Sequence, residues 1–290
     1  MKRTKAFEVF TACVDAIMQG VLINRVSRTD KEFHFQNWFE DRLRGTGVLF
    51  DKSGRNSYPD FTLVEFTEGY ETKGLAWPGR ESTYDCNSQV PTGFHNGRDV
   101  FYAFGRYPKA EDASKEYPVI DFVLCHGDFL NADHDYVHKN KSVKGFGSYG
   151  DIMIRDRKMY VAPTPFAIAD GLTGTRTLLV PSSWKAPRGF KKVGEIARVE
   201  AADLVVGYEF DLKTNSISAK TVPNPSAGRE HCFTAYRVES DSDKAVYLVS
   251  DSQDQNQAGE DKSGCSSSKL VKMPLSRCQN SLGDTYVKAY

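Results

Sequence analysis

The chain has 290 residues, 40% of them hydrophobic and 12% aromatic, and its 38 basic and 38 acidic side chains cancel. That is enough apolar material for one large domain, or for a core carrying an elaboration, while a net charge of zero excludes a protein that coats DNA through bulk positive potential. No apolar run reaches the length of a membrane span, and the six cysteines (Cys13, Cys86, Cys125, Cys232, Cys265, Cys278) include no C-x-x-C pair. The pattern points to neither a zinc ribbon nor a disulfide framework and fits a reducing cytoplasm.

Residues 6–22 read as an amphipathic helix, because Glu8, Asp15 and Gln19 interrupt the apolar run. A second helix is predicted over 31–44, with Thr29-Asp30 as N-cap, Gly45 as terminator, and Phe35, Trp38, Phe39 and Leu43 as one apolar stripe. Glu40 lies beside that stripe, where a surface pair with Arg44 at i+4 is one reading. A short strand at 47–50 and a polar turn at 51–56 follow. Residues 61–66 alternate as a strand, Glu68-Gly69 supplies a turn, and 70–77 returns. On that returning strand Glu71 and Lys73 share a face. If the hairpin carries Asp60 back beside Glu71, two hard oxygen ligands and an ammonium converge, an environment suited to Mg²⁺.

Pro59-Asp60, a spacer, then Glu71-Thr72-Lys73 resembles the signature of the PD-(D/E)xK nuclease superfamily, which includes most type II restriction endonucleases. The superfamily core runs helix, strand, strand carrying Asp, strand carrying Glu-x-Lys, helix, strand, and the predicted elements follow that order over about residues 31–130. The resemblance implies a restriction-endonuclease-like α/β (α+β) fold, a mixed central sheet flanked by helices. It implies a Mg²⁺-dependent endonuclease, with Mn²⁺ as a substitute, that hydrolyses phosphodiester bonds of double-stranded DNA at specific sequences. Asp60, Glu71 and the Thr72 carbonyl would hold the ion, Lys73 would orient the attacking water, and Glu40 would assist the metal through water. A homodimer matched to a palindromic site, a cognate DNA methyltransferase and a prokaryotic cytoplasmic setting belong to the same expectation. A superfamily nuclease of repair or transposition is the alternative within the family. Outside it stands a non-catalytic nucleic-acid-binding protein in which Glu71 and Lys73 are a surface ion pair.

The segment after Lys73 is rich in glycine, proline and aromatics, and its Asn87, Ser88, Gln89, His95, Asn96 and Arg98 suit contacts to base edges and phosphates, an ordinary surface loop being the plain alternative. Strands are predicted at 99–107 and 117–130, the second apolar enough for a central position. His126, Asp128, Asp133, His134, Asp135 and His138 cluster in sequence without the His-Glu-x-x-His spacing of a helical metal site. Two basic, aromatic segments, 139–150 (Lys139, Lys141, Lys144) and 184–192 (Lys185, Arg188, Lys191, Lys192), are expected to contact phosphates. Strands at 151–154, 158–162, 176–180, 204–212, 233–238 and 245–250 make the second half β-rich, and 252–268 is a polar, low-complexity stretch expected to form a mobile loop. The division expected is a nuclease core at 1–150 and an elaboration for DNA recognition or dimerisation at 151–290, or one continuous domain.

Overall fold

A computed structural model describes residues 4–25, 33–54, 58–87, 89–109, 115–132, 147–155, 159–169, 171–241 and 285–289. The expected N-cap at Thr29-Asp30, most of the basic loop 139–150, the strand at 245–250 and the polar stretch 252–268 lie outside them.

Helices form where apolar residues recur at helical spacing. Helix α1, Ala6–Met18, buries Phe7, Phe10, Val14 and Ile17 along one side. Its N-terminus is held by Glu68, whose two carboxylate oxygens accept the Lys5 N–H at 3.0 and 3.1 Å. Helix α2, His34–Gly45, buries the predicted stripe of Phe35, Trp38, Phe39 and Leu43.

Ten strands make one mixed sheet. From one edge it reads Thr285–Ala289, Phe190–Val199, Glu230–Val238, Thr177–Pro181, Asp121–His126, Arg98–Pro108, Glu68–Trp77, Phe61–Leu63 and Phe50–Lys52, with Phe94–His95 paired to Arg98–Pro108 off this path. Glu68–Trp77 runs parallel to Arg98–Pro108, and Asp121–His126 parallel to Thr177–Pro181. Asp121–His126 is buried at every residue, as expected of a central strand covered on both faces. The sheet takes strands from both sides of residue 150. Both helices cover one face, over Phe61, Tyr70, Phe101 and Phe122. The other face, with Leu75, Tyr102, Phe104 and Cys125, is covered by a three-stranded sheet of Met153–Arg155, Met159–Pro163 and Thr83–Asn87, with Phe166 and Ile168 of the one-turn helix Pro165–Ile168 packed beside it.

Helix α2 is seated by two glycines. Gly74 and Gly105 are register partners on adjacent parallel strands. A Cβ on Gly105 would stand 2.0 Å from a Phe35 ring carbon, and one on Gly74 would stand 2.9 Å from Phe35 Cβ. Only a strand pair bare of side chains at that level lets the ring lie on the sheet.

Two local expectations are corrected. The turn between the Asp60 and Glu71 strands lies at residues 64–67, and Glu68-Gly69 already belongs to the strand, where Gly69 pairs with Thr62. Among the described residues no helix follows the Glu-x-Lys strand where one was expected. Residues 78–97 instead carry the strands Thr83–Asn87 and Phe94–His95. Pro78, Gly79, Pro91, Gly93 and Gly97 break any helix there, and Tyr84 and Cys86 turn inward at a spacing of two, which is strand periodicity.

Candidate active site

Strand register builds the site. Phe61 pairs with Tyr70 and Thr62 with Gly69, and continuing this antiparallel register by one residue sets Asp60 opposite Glu71. The Asp60 N–H donates to Glu71 Oε2 at 3.2 Å. The Thr72 N–H and hydroxyl both donate to Asp60 Oδ2, at 2.8 and 2.6 Å, and Lys73 Nζ donates to Glu71 Oε1 at 2.7 Å. From the opposite side the Ser53 N–H donates to the Asp60 carbonyl at 2.9 Å and its hydroxyl to the Pro59 carbonyl at 2.5 Å. Asp60, Glu71, Thr72 and Lys73 are therefore one continuous set of contacts. The part of Thr72 engaged there is its amide and hydroxyl.

The set is withdrawn from solvent, with the Glu71 and Lys73 side chains 13% and 17% exposed. Burial pushes the Glu71 carboxyl above the usual carboxylate range; Lys73 opposes this rise and the charge of Asp60 adds to it. Burial alone would lower the Lys73 pKa, but Glu71, and behind it Asp60, hold the ammonium above lysine's ordinary value.

Aromatic residues wall the site. Tyr102, register partner of Glu71, shares a 2.7 Å hydrogen bond with the hydroxyl of Tyr58. The Tyr58 pKa is pushed up by burial and by Glu71, against Tyr102 and the Thr92 backbone, which favour the phenolate. The Cys86 thiol is pushed up to about 12, by burial first, although nearby Lys73 pulls it down. Sequence reading overlooked Tyr58, Tyr102 and Cys86 as site residues. Tyr58 adjoins Pro59-Asp60 and was within reach of a local argument, whereas Tyr102 enters only through the parallel register of a strand far along the chain.

The other expected site residues are distributed differently. Glu40 accepts from Arg44 at Oε1 and from Lys52 at Oε2, each at 2.5 Å, so it ties α2 to the edge strand Phe50–Lys52 rather than to the Asp60–Glu71 pair. Arg98 donates through Nη1 to the carbonyls of Leu63 and Phe66 at 2.7 and 2.8 Å, clamping the 64–67 turn. Asn96, with Gly97, forms the two-residue turn between Phe94–His95 and Arg98–Pro108, with positive φ of 48° and 77°. Gln89 bonds the Val90 carbonyl at 3.1 Å. His95 packs edge-on against Tyr58 with ring centroids 5.0 Å apart, and burial lowers its pKa. Asn87 ends the strand that pairs with Met159–Pro163, while Ser88, Lys139, Lys141 and Lys144 lie outside the described residues.

In the second basic segment Lys185 and Arg188 are exposed, Lys191 and Lys192 open the strand Phe190–Val199, and Lys192 pairs with Glu195 at 2.6 Å. Its Trp184 packs against Phe101 and His126 on the helix-covered face, opposite the face that Glu71 and Lys73 occupy. His126 lies there between Asp99, at 3.6 Å, and Asp128, at 3.5 Å, while Asp133, His134, Asp135 and His138 fall outside the described residues.

Among the described residues no group of three or more His, Cys, Asp or Glu is arranged to hold a metal ion. The donor set implied by the resemblance is smaller, two carboxylates and a backbone carbonyl. Asp60 and Glu71, joined by one amide hydrogen bond, fit the carboxylate part of it. The chain matches no family model, no curated protein and no solved structure. The likeness to the nuclease superfamily rests on its motif and on the geometry of these residues.

Proposed function

We propose that the protein is a Mg²⁺-dependent, sequence-specific DNA endonuclease of the PD-(D/E)xK kind, resembling type II restriction enzymes. The observation that carries this reading is the partly buried junction of Asp60, Glu71, Thr72 and Lys73 across two adjacent strands. A surface ion pair, the non-catalytic alternative, would leave both partners in water; the Glu71 and Lys73 side chains are mostly withdrawn from it, at 13% and 17% exposure, where an ion pair repays little more than its desolvation.

In this reading Asp60 and Glu71, with the Thr72 carbonyl, hold Mg²⁺, or Mn²⁺ in its place. The bound ion supplies polarisation of the scissile phosphate and a lowered pKa for its water. Thr72 fixes the Asp60 carboxylate with two donors, so little reorganisation is left to pay when a cation arrives. Lys73, compact and charged, orients the attacking water and stabilises the charge that grows on phosphorus. Of the segment expected to read DNA, His95 lies nearest by contact, through Tyr58.

Double-stranded DNA is the proposed partner, with a second copy of the chain for a palindromic site and a cognate methyltransferase in a prokaryotic cytoplasm. Among the described residues no helix is long and apolar enough to cross a membrane. Digestion of a mixed plasmid substrate with Mg²⁺, followed by end sequencing, tests the activity. Genomic adjacency to a methyltransferase gene separates a restriction role from repair or transposition.

A further inference from the structure

A contact outside the motif closes the site. Tyr58 stands two residues before Asp60, and Tyr102 is the partner of Glu71 on the neighbouring parallel strand. Their hydroxyls meet at 2.7 Å. A ring of contacts results: Tyr58 leads through Pro59 to Asp60, whose N–H bonds Glu71 at 3.2 Å, and the ladder passes from Glu71 to Tyr102 and back to Tyr58. Ser53 fixes the Pro59 and Asp60 carbonyls on one side, and the tyrosine bond fixes the chain on the other. Tyr102 is 2% exposed, so water does not readily take the place of this bond. His95 packs edge-on against the Tyr58 ring, centroids 5.0 Å apart.

We propose that Tyr58, through its hydrogen bond to Tyr102, is a positioning residue that sets the placement of the Asp60 carboxylate against Glu71 and thereby the affinity of the site for a divalent cation. The proposal rests on the nuclease reading, since the cation is the one that reading assigns to Asp60 and Glu71. Tyr58 itself is not a ligand. It acts as outer groups of metal sites do, by restraining the groups that bind.

The test uses Mn²⁺ alone, titrated into the full-length protein and followed by the electron paramagnetic resonance signal of the free ion. Tyr58→Phe and Tyr102→Phe each remove one oxygen from the same bond, so each is expected to weaken Mn²⁺ binding by roughly tenfold. The double substitution should be no worse than either single one, because both delete one interaction. Tyr84→Phe, a substitution next to Tyr102 (ring centroids 6.5 Å apart) that leaves the Tyr58–Tyr102 bond intact, should bind as wild type. Cleavage by Tyr58→Phe should need more Mn²⁺ yet recover to within about twofold of wild-type kcat at saturation, with KM for DNA unchanged. A wild-type Mn²⁺ affinity in both Tyr58→Phe and Tyr102→Phe, with only the thermal midpoint lowered, overturns the positioning role and leaves the nuclease reading standing. A wild-type protein that binds no Mn²⁺ overturns both. If one variant fails to fold, the other interrogates the same bond.

Discussion

Lys73 is largely withdrawn from solvent, with its ammonium against the Glu71 carboxylate at 2.7 Å and under the charge of Asp60, and those contacts set what substitution does at each position. Lys73→Ala should lower kcat by on the order of 10²-fold or more while DNA binding changes little, since a transition-state charge partner is lost. Single-turnover cleavage with saturating DNA checks this. Arg98→Ala should act on folding instead. It leaves the carbonyls of Leu63 and Phe66 without their charged donor, which costs about 1–3 kcal/mol in chemical unfolding, with the preferred cleavage sequence unchanged. A shifted sequence preference in that variant would return Arg98 to the DNA.

Glu40 gives a prediction with a definite sign in pH. Burial works to raise its pKa, but hydrogen bonds and charge from Lys52 and Arg44 outweigh burial and hold it below the ordinary 4.5. A lowered folded value means the stabilisation is present above the unfolded value and is lost as pH falls through the folded one. Arg44 and Lys52 are 64% and 43% exposed, so each pair is worth only about 0.2–1 kcal/mol. Glu40→Gln should therefore be slightly less stable than wild type near neutrality, the gap should close in acid, and cleavage should stay near wild type. Urea unfolding at the two pH values measures the first part; a cleavage defect as deep as that of Lys73→Ala would contradict the second.

At the scale of elements, α2 depends on the bare Gly74–Gly105 pair beneath Phe35. Gly105→Ala places a methyl where a ring carbon lies 2.0 Å away, so α2 must lift or Phe35 must leave its seat. Overpacking of this kind costs about 1–3 kcal/mol or more, and thermal unfolding reads it directly. The same elements show what the sequence makes legible. The stripe Phe35, Trp38, Phe39, Leu43 and the hairpin that brings Asp60 to Glu71 are local patterns, readable from periods of 3.6 and 2. Asn96-Gly97 is likewise legible locally, as a hairpin turn signal. The strand Phe190–Val199 was hidden by Lys191, Lys192, Glu195 and Arg198. Arg198 is 3% exposed and paired with Asp151 at 2.7 Å, a tertiary partner that no local pattern announces.

At the scale of the whole molecule, one mixed sheet carries the site on one face and both long helices on the other. Residue order along the chain pointed to a mixed sheet with helices packed on it. It could not supply the parallel pairing of Glu68–Trp77 with Arg98–Pro108, which crosses residues 78–97 without a helix and brings Tyr102 beside Glu71. The central claim is that Asp60 and Glu71 form a cation site that cuts DNA. Supercoiled plasmid incubated with Mg²⁺ and either wild type or Asp60→Ala, with DNA binding measured alongside, tests it most directly. Discrete fragments with defined ends from wild type, and intact plasmid from an Asp60→Ala protein that still binds DNA, are the predicted result. Full cleavage by Asp60→Ala, or no cleavage by wild type with Mg²⁺ or Mn²⁺, would contradict it.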